Sequence, residues 1–200
     1  MKRLVSLSLS LMLVLAIFVG ASLTASAATE EDLEYTLNSY DRVYSVSGCN
    51  KTATGEIIIP ETYNGLPVTK IDREAFLDCT EITSITIGNN ITSIADYAFK
   101  NCSGIESVYF GTGLKKVEYS VFNGCTNLKS VYVDSLETLN EINTSVVSTA
   151  GTCVDGSFAH LADNLYVDGV LVEELYIPSD MKVNRDGVFC GYSSIKSIVV

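Results

Sequence analysis

Basic residues are scarce in this 200-residue chain: 13 Lys+Arg stand against 24 Asp+Glu, and His160 is the single histidine. A net charge of −11 leaves no general basic stripe for nucleic acid or anionic lipid, so neither is expected as a partner. With one histidine and no Cys-x-x-Cys pair, the chain lacks metal-ligand spacing, and no metal or other cofactor is expected. Also missing are a Ser-His-Asp order, a nucleophile elbow, a phosphate loop and a His-Glu-x-x-His helix. His160 is the one distinctive candidate for chemistry, and a lone loop histidine is ordinarily just solvated. Glu173-Glu174 is an exposed pair with no geometry for acid–base work. The chain is therefore expected not to be an enzyme.

Apolar runs are short, apart from Leu4 to Val19 near the start. Lys2 and Arg3 precede that run, and Ala25-Ser26-Ala27 offers small residues at cleavage positions, so residues 1–27 read as a secretory signal peptide. The alternative is a membrane anchor, for which the run is short. Removal of the segment takes away Lys2 and Arg3, moves the net charge from −11 to −13, and leaves no membrane segment in the mature form. Secretion or display at the cell surface is the expected address.

What the chain does have is a 23-residue pattern written three times without a gap over residues 68–136, starting at Val68, Ile91 and Leu114. Phe76, Phe99 and Phe122 share one column, and Cys79, Cys102 and Cys125 share another. The second half of each copy reads apolar-x-x-apolar-x-apolar: Ile82, Ile85, Ile87; Ile105, Val108, Phe110; Leu128, Val131, Val133. Alternation over the last positions predicts a short strand with one buried face. A unit this small cannot bury its apolar side alone, so successive units must stack, with each strand parallel to the one before. The pairs Val68 and Ile71, Ile91 and Ile94, and Leu114 and Val117 supply a second apolar row. The phenylalanines are expected to form an internal spine.

The A-F-x-x-C turn followed by I-x-S-[IV]-x-[IVF] resembles the BspA-type, or Treponema-type, leucine-rich repeat of secreted and surface proteins from bacteria and some protists. The resemblance runs roughly from Leu33 to Val200. It implies a mainly β repeat solenoid, a leucine-rich-repeat right-handed superhelix of about 23-residue repeats with parallel strands and short helical or 3-10 turns. It also implies extracellular binding of a protein or glycan, attachment to host matrix proteins among the roles.

The rest of the chain divides around the tandem copies. Residues 28–67 read as an N-terminal cap, with a hairpin of Leu33–Leu37 and Val43–Val46 followed by Ile57, Ile58 and Ile59 up to Pro60. Residues 137–180 read as an irregular insertion. Within it, Glu137 to His160 is expected to be a loop, Leu165 to Val172 a hairpin about an Asp168-Gly169 type I′ turn, and Val172 to Ile177 a return of the strand signature. Residues 181–200 read as a further copy, with Phe189 in the spine and Ile195, Ile198 and Val200 on the strand. It departs from the pattern at Asn184, Tyr192 and Cys190. A bare terminal rung is an aggregation hazard, so the natural protein is expected to continue past Val200 or to have that end covered.

Six cysteines in a secreted chain invite a disulfide reading. In-register neighbours on parallel strands hold their Cβ atoms too far apart for one, so Cys79, Cys102 and Cys125 are expected to be buried free thiols. Cys49, Cys153 and Cys190 remain unassigned. On each strand the residue between the last two buried positions points outward, which aligns Thr86, Tyr109, Tyr132, Tyr176 and Val199, with Tyr166 at the same offset on the hairpin. Glu106, Lys129, Glu173, Glu174 and Lys196 lie beside them. This face has two readings: a ligand-binding surface, since tyrosine buries area while keeping a hydrogen bond, or neighbours that stack to stabilise the sheet. The function expected first is an adhesin-like binding module; the alternative is a spacer or stalk in a larger secreted protein whose active domain lies beyond residue 200.

Overall fold

The computed structural model describes residues 30–144, 162–179, 181 and 192–199. The expected signal peptide, His160, Cys153, Cys190, Asn184 and Phe189 lie outside the described residues. A 3-10 turn at Glu30–Asp32 leads into β1 (Leu33–Asn38), β2 (Val43–Cys49), β3 (Gly55–Ile59), β4 (Thr62–Tyr63), β5 (Leu66–Ile71), β6 (Ile82–Ile87), β7 (Ser93–Ile94), β8 (Ser107–Phe110), β9 (Lys116–Val117) and β10 (Ser130–Val133). After these come α1 (Leu136–Glu141), β11 (Asn143–Thr144), β12 (Asn164–Val167), β13 (Val170–Leu171), β14 (Glu174–Tyr176) and β15 (Ser197–Val199).

Each tandem copy contributes one strand to each of two sheets. The first runs β1-β2-β5-β7-β9-β11, with β4 attached to β5; the second runs β13-β12-β10-β8-β6-β3; β14 and β15 form a separate pair. From β2 to β11 and from β3 to β12 every neighbouring pair is parallel. This is the β solenoid that the apolar rows predict. The turn side is also tied rung to rung: Phe76 N donates to Ala98 O at 2.8 Å, and Phe99 N donates to Val121 O at 2.9 Å. Backbone hydrogen bonds thus hold all sides of the stack, as a buried main chain requires.

Phe76, Phe99 and Phe122 have no exposed surface and lie one above another, with ring centroids 4.7 and 5.2 Å apart and planes 25° and 6° from parallel. Beside them Cys49, Cys79, Cys102 and Cys125 are buried free thiols. Cys102 Sγ donates to Phe76 O at 2.9 Å and Cys125 Sγ donates to Phe99 O at 3.0 Å, so each thiol ties the turn of its own rung to the one before. The hydrogen bond with Cys125, and then burial, push the Cys102 thiol far above its ordinary value. These groups act as small core residues.

Outside the tandem copies the structure differs from the sequence expectation at three places. The capping region already contains a rung: β2 pairs with β5 and β3 pairs with β6, burying Val46, Ile57 and Ile59. Helix α1 and β11 occupy the start of the expected loop; Ser135 caps the helix by accepting from Thr138 N at 3.2 Å, and Leu139 and Ile142 are buried. Ile198, expected inward, is 55% exposed, because β15 pairs with β14 and no other described strand covers it.

Candidate functional site

The outward column of the second sheet is set by strand register. Ile58 pairs with Thr86, Thr86 with Tyr109, Tyr109 with Tyr132, Tyr132 with Tyr166, and Tyr166 with Leu171 across the hairpin. Period-two alternation aims these side chains away from the core that Ile85, Val108, Val131 and Leu165 fill. Parallel in-register pairing then brings identical residues together. Tyr109 and Tyr132 stack with centroids 4.2 Å apart and planes 10° from parallel; Tyr132 and Tyr166 stack at 4.4 Å and 13°.

Ser84, Ser107, Ser130 and Asn164 form the adjoining column and are half-buried, as are Tyr132 and Tyr166, while Tyr109 is exposed. Beyond it Lys129 Nζ meets Glu106 Oε2 at 3.4 Å, an exposed pair worth under about 1 kcal/mol. At the other end of the column Thr86 Oγ1 donates to Glu56 Oε1 at 3.3 Å. Asp134 follows β10, and Asp168 occupies the hairpin turn with φ 49° before Gly169 at φ 74°, the two positive values a type I′ turn needs.

The structure therefore gathers Thr86, Tyr109, Tyr132 and Tyr166, flanked by Glu106 and Lys129. It places Glu173, Tyr176 and Lys196 elsewhere: Tyr176 pairs with Val199 on the separate two-stranded sheet, and Lys196 Nζ meets Glu173 Oε1 at 2.5 Å there. Ile58 and Leu171 extend the column and were not singled out from sequence. The signal for both was present, since Ile58 is the middle of three isoleucines that alternate, and a two-residue turn at Asp168-Gly169 places Leu171 opposite Tyr166.

Burial pushes the Tyr109 phenol up to about 12, with the neighbouring Tyr132 phenol adding to it, and burial likewise raises Tyr132, with Tyr166 beside it. The protonated forms are thus favoured in the folded chain. Their contribution to stability is complete below the ordinary phenol value of about 10 and is lost as pH rises through the folded value. Denaturant midpoints measured across that window are expected to fall less steeply for Tyr109→Phe than for the parent protein. Equal slopes would contradict the shift.

A second aromatic group lies on the turn side, where Tyr97 meets Tyr119 edge-on at 5.9 Å. Arg73 Cζ and Lys100 Nζ lie 5.2 and 5.1 Å from the Tyr97 ring centre, so that ring already has its cationic neighbours. Among the described residues no group of three or more His, Cys, Asp or Glu is placed to hold a metal, and no helix is long and apolar enough to cross a membrane.

Comparison with known proteins agrees with the repeat fold. A family model described as a BspA type leucine rich repeat region matches residues 45–155 in six copies. Among solved structures, a leucine rich repeat protein of T. pallidum is similar at 18% identity and a TM-score of 0.53, with 86% of this chain and 81% of that one covered. A leucine-rich repeat protein from Bacteroides capillosus is similar at 18% identity and a TM-score of 0.52, with 72% of this chain and 99% of that one covered. Comparison with curated proteins gives no match.

Proposed function

Because the chain belongs to the BspA-type leucine-rich repeat family, we propose that it is a secreted or surface-displayed binding module, adhesin-like in use, that captures an extracellular protein or glycan through the outward face of its second sheet and carries out no chemistry. The observation that carries this reading is the row of Tyr109, Tyr132 and Tyr166 stacked on a solvent-facing sheet. Large aromatic side chains with polar tips at a fixed spacing on rigid strands present area and hydrogen bonds at little loss of conformational freedom. Secretion is supported by the basic start, apolar run and small cleavage residues within 1–27.

The test is a variant with Tyr109, Tyr132 and Tyr166 all changed to Ala, set against a panel of purified extracellular matrix proteins and glycans. Capture of the ligand found with the parent protein is expected to fall at least about tenfold, as loss of a central aromatic patch does. The thermal midpoint is expected to fall by about 2–12 °C, since two stacked contacts at about 0.5–1.5 kcal/mol each are removed from a chain that loses about 2–4 °C per kcal/mol. Loss of stability with capture unchanged would instead favour the spacer role, with the tyrosines serving the sheet alone.

A further inference from the structure

We propose that the tyrosine row receives a basic polypeptide segment and not a glycan; this rests on the reading of that face as the binding surface. The first ground is the way the rings use one another. A sugar ring docks on an aromatic side chain by laying its C–H bonds on an open ring face. Between Tyr109 and Tyr132 at 4.2 Å, and between Tyr132 and Tyr166 at 4.4 Å, both sets of planes nearly parallel, nothing can be inserted. The two outermost faces look toward in-register neighbours, Thr86 at one end and Leu171 at the other. What the row offers a partner is a line of ring edges and hydroxyls, bordered by Ser84, Ser107 and Ser130. Such a line matches the alternating N–H and C=O groups of an extended chain, because a phenol or serine hydroxyl both donates and accepts, so those of Tyr109, Tyr132, Tyr166 and Ser130, which interact with one another, keep further capacity for a partner.

The second ground is charge. Among the described residues around the row, Glu56, Glu106, Asp134, Asp163 and Asp168 are exposed, while Lys129 is paired with Glu106 and the next ammonium, Lys196, with Glu173; Glu56 accepts from Thr86 and Asp163 from Ser193. The chain as a whole has a net charge of −11. Complementary potential at an interface selects partners and speeds encounter, so this border favours arginine and lysine side chains and repels anionic glycans and nucleic acid.

The test uses fluorescein-labelled deca-arginine and deca-glutamate, read by anisotropy with the purified protein at low salt, and unlabelled cellohexaose and chitohexaose, read by calorimetry. Deca-arginine is expected to saturate, and its affinity to drop at least about fivefold in Tyr132→Ala and, separately, in the double variant Asp134→Asn with Asp168→Asn. Asn tolerates the positive φ at position 168, so the double variant keeps the hairpin even if the tyrosine change disturbs the sheet. Deca-glutamate and both hexaoses are expected to give no saturable signal. Saturable hexaose binding that disappears in Tyr132→Ala would overturn the polypeptide assignment while leaving the face as the binding surface. Deca-arginine binding that is absent, or equal in the parent and both variants, would overturn the placement of a basic segment on this row. Failure of the face itself is read separately, in the triple alanine variant against the matrix panel.

Discussion

Replacing Phe99 with Ala is expected to lower the free energy of unfolding by about 3–5 kcal/mol, the range for a fully buried phenylalanine cut to a methyl group. Phe99 has no exposed surface and sits between Phe76 and Phe122, so both stacked contacts vanish at once. The surroundings cannot close the gap easily. Backbone bonds from Phe76 N to Ala98 O and from Phe99 N to Val121 O fix the rung spacing, and the Cys125 thiol is bonded to Phe99 O. In a stacked repeat protein stability is close to a sum of unit and neighbour terms, so damage to a central unit weakens two interfaces. Urea unfolding followed by far-ultraviolet circular dichroism measures it. A loss below about 1 kcal/mol with an unchanged denaturant slope would show that the ring does not bear the load assigned to it.

Gly104→Ala is expected to do more, preventing the native stack from forming or lowering the thermal midpoint by more than about 10 °C, as severe overpacking in a small domain does. A Cβ at this position would meet Thr80 O and would lie 2.7 Å from Ile82 O. Both are backbone oxygens of the preceding rung, and neither can rotate away. The adjacent bonds that would have to open are those carrying rung-to-rung registry, such as Glu106 N to Thr83 O at 2.8 Å. Gly65→Ala is the matched control: φ is 75° there and nothing lies within 4 Å, so only the left-handed penalty of about 1–2 kcal/mol applies. If the two variants melt alike, the close approach at Gly104 is not a constraint on the fold.

Wherever a residue type recurs every 23 positions, the sequence alone was enough to place it. Phe76, Phe99 and Phe122 could be stacked on paper because a fixed repeat and a parallel sheet leave identical residues only one arrangement, and the same logic placed Tyr109 over Tyr132. Tyr166 followed from its offset in the hairpin. Tyr176 is the exception. The strand signature around it is intact, but β13 folds back onto the edge of β12 that a further parallel strand would need, so β14 pairs with β15 instead. A local pattern specifies which face of a strand is buried, not which neighbour the strand finds. The rung built from β2 and β3 was missed for the opposite reason: it lacks the Ala-Phe turn, though its apolar alternation at Ile57 and Ile59 does the same work in the core. Leu139 and Ile142 are anchored by a capped turn of helix, which the threonine and asparagine content of that stretch concealed.

The antiparallel β13 also fixes how a surface of this kind can change size. That strand closes one end of the tyrosine-bearing sheet, so extra length cannot be added there without dismantling the hairpin. Duplication of an interior 23-residue unit meets no such obstacle, since each unit presents the same bonding edge above and below. Every duplication would move the closing hairpin outward by one strand spacing, about 4.8 Å, and set one more side chain into the row. Reach thus becomes a matter of counting modules, adjustable in whole steps by recombination while the chemistry at each step stays the same.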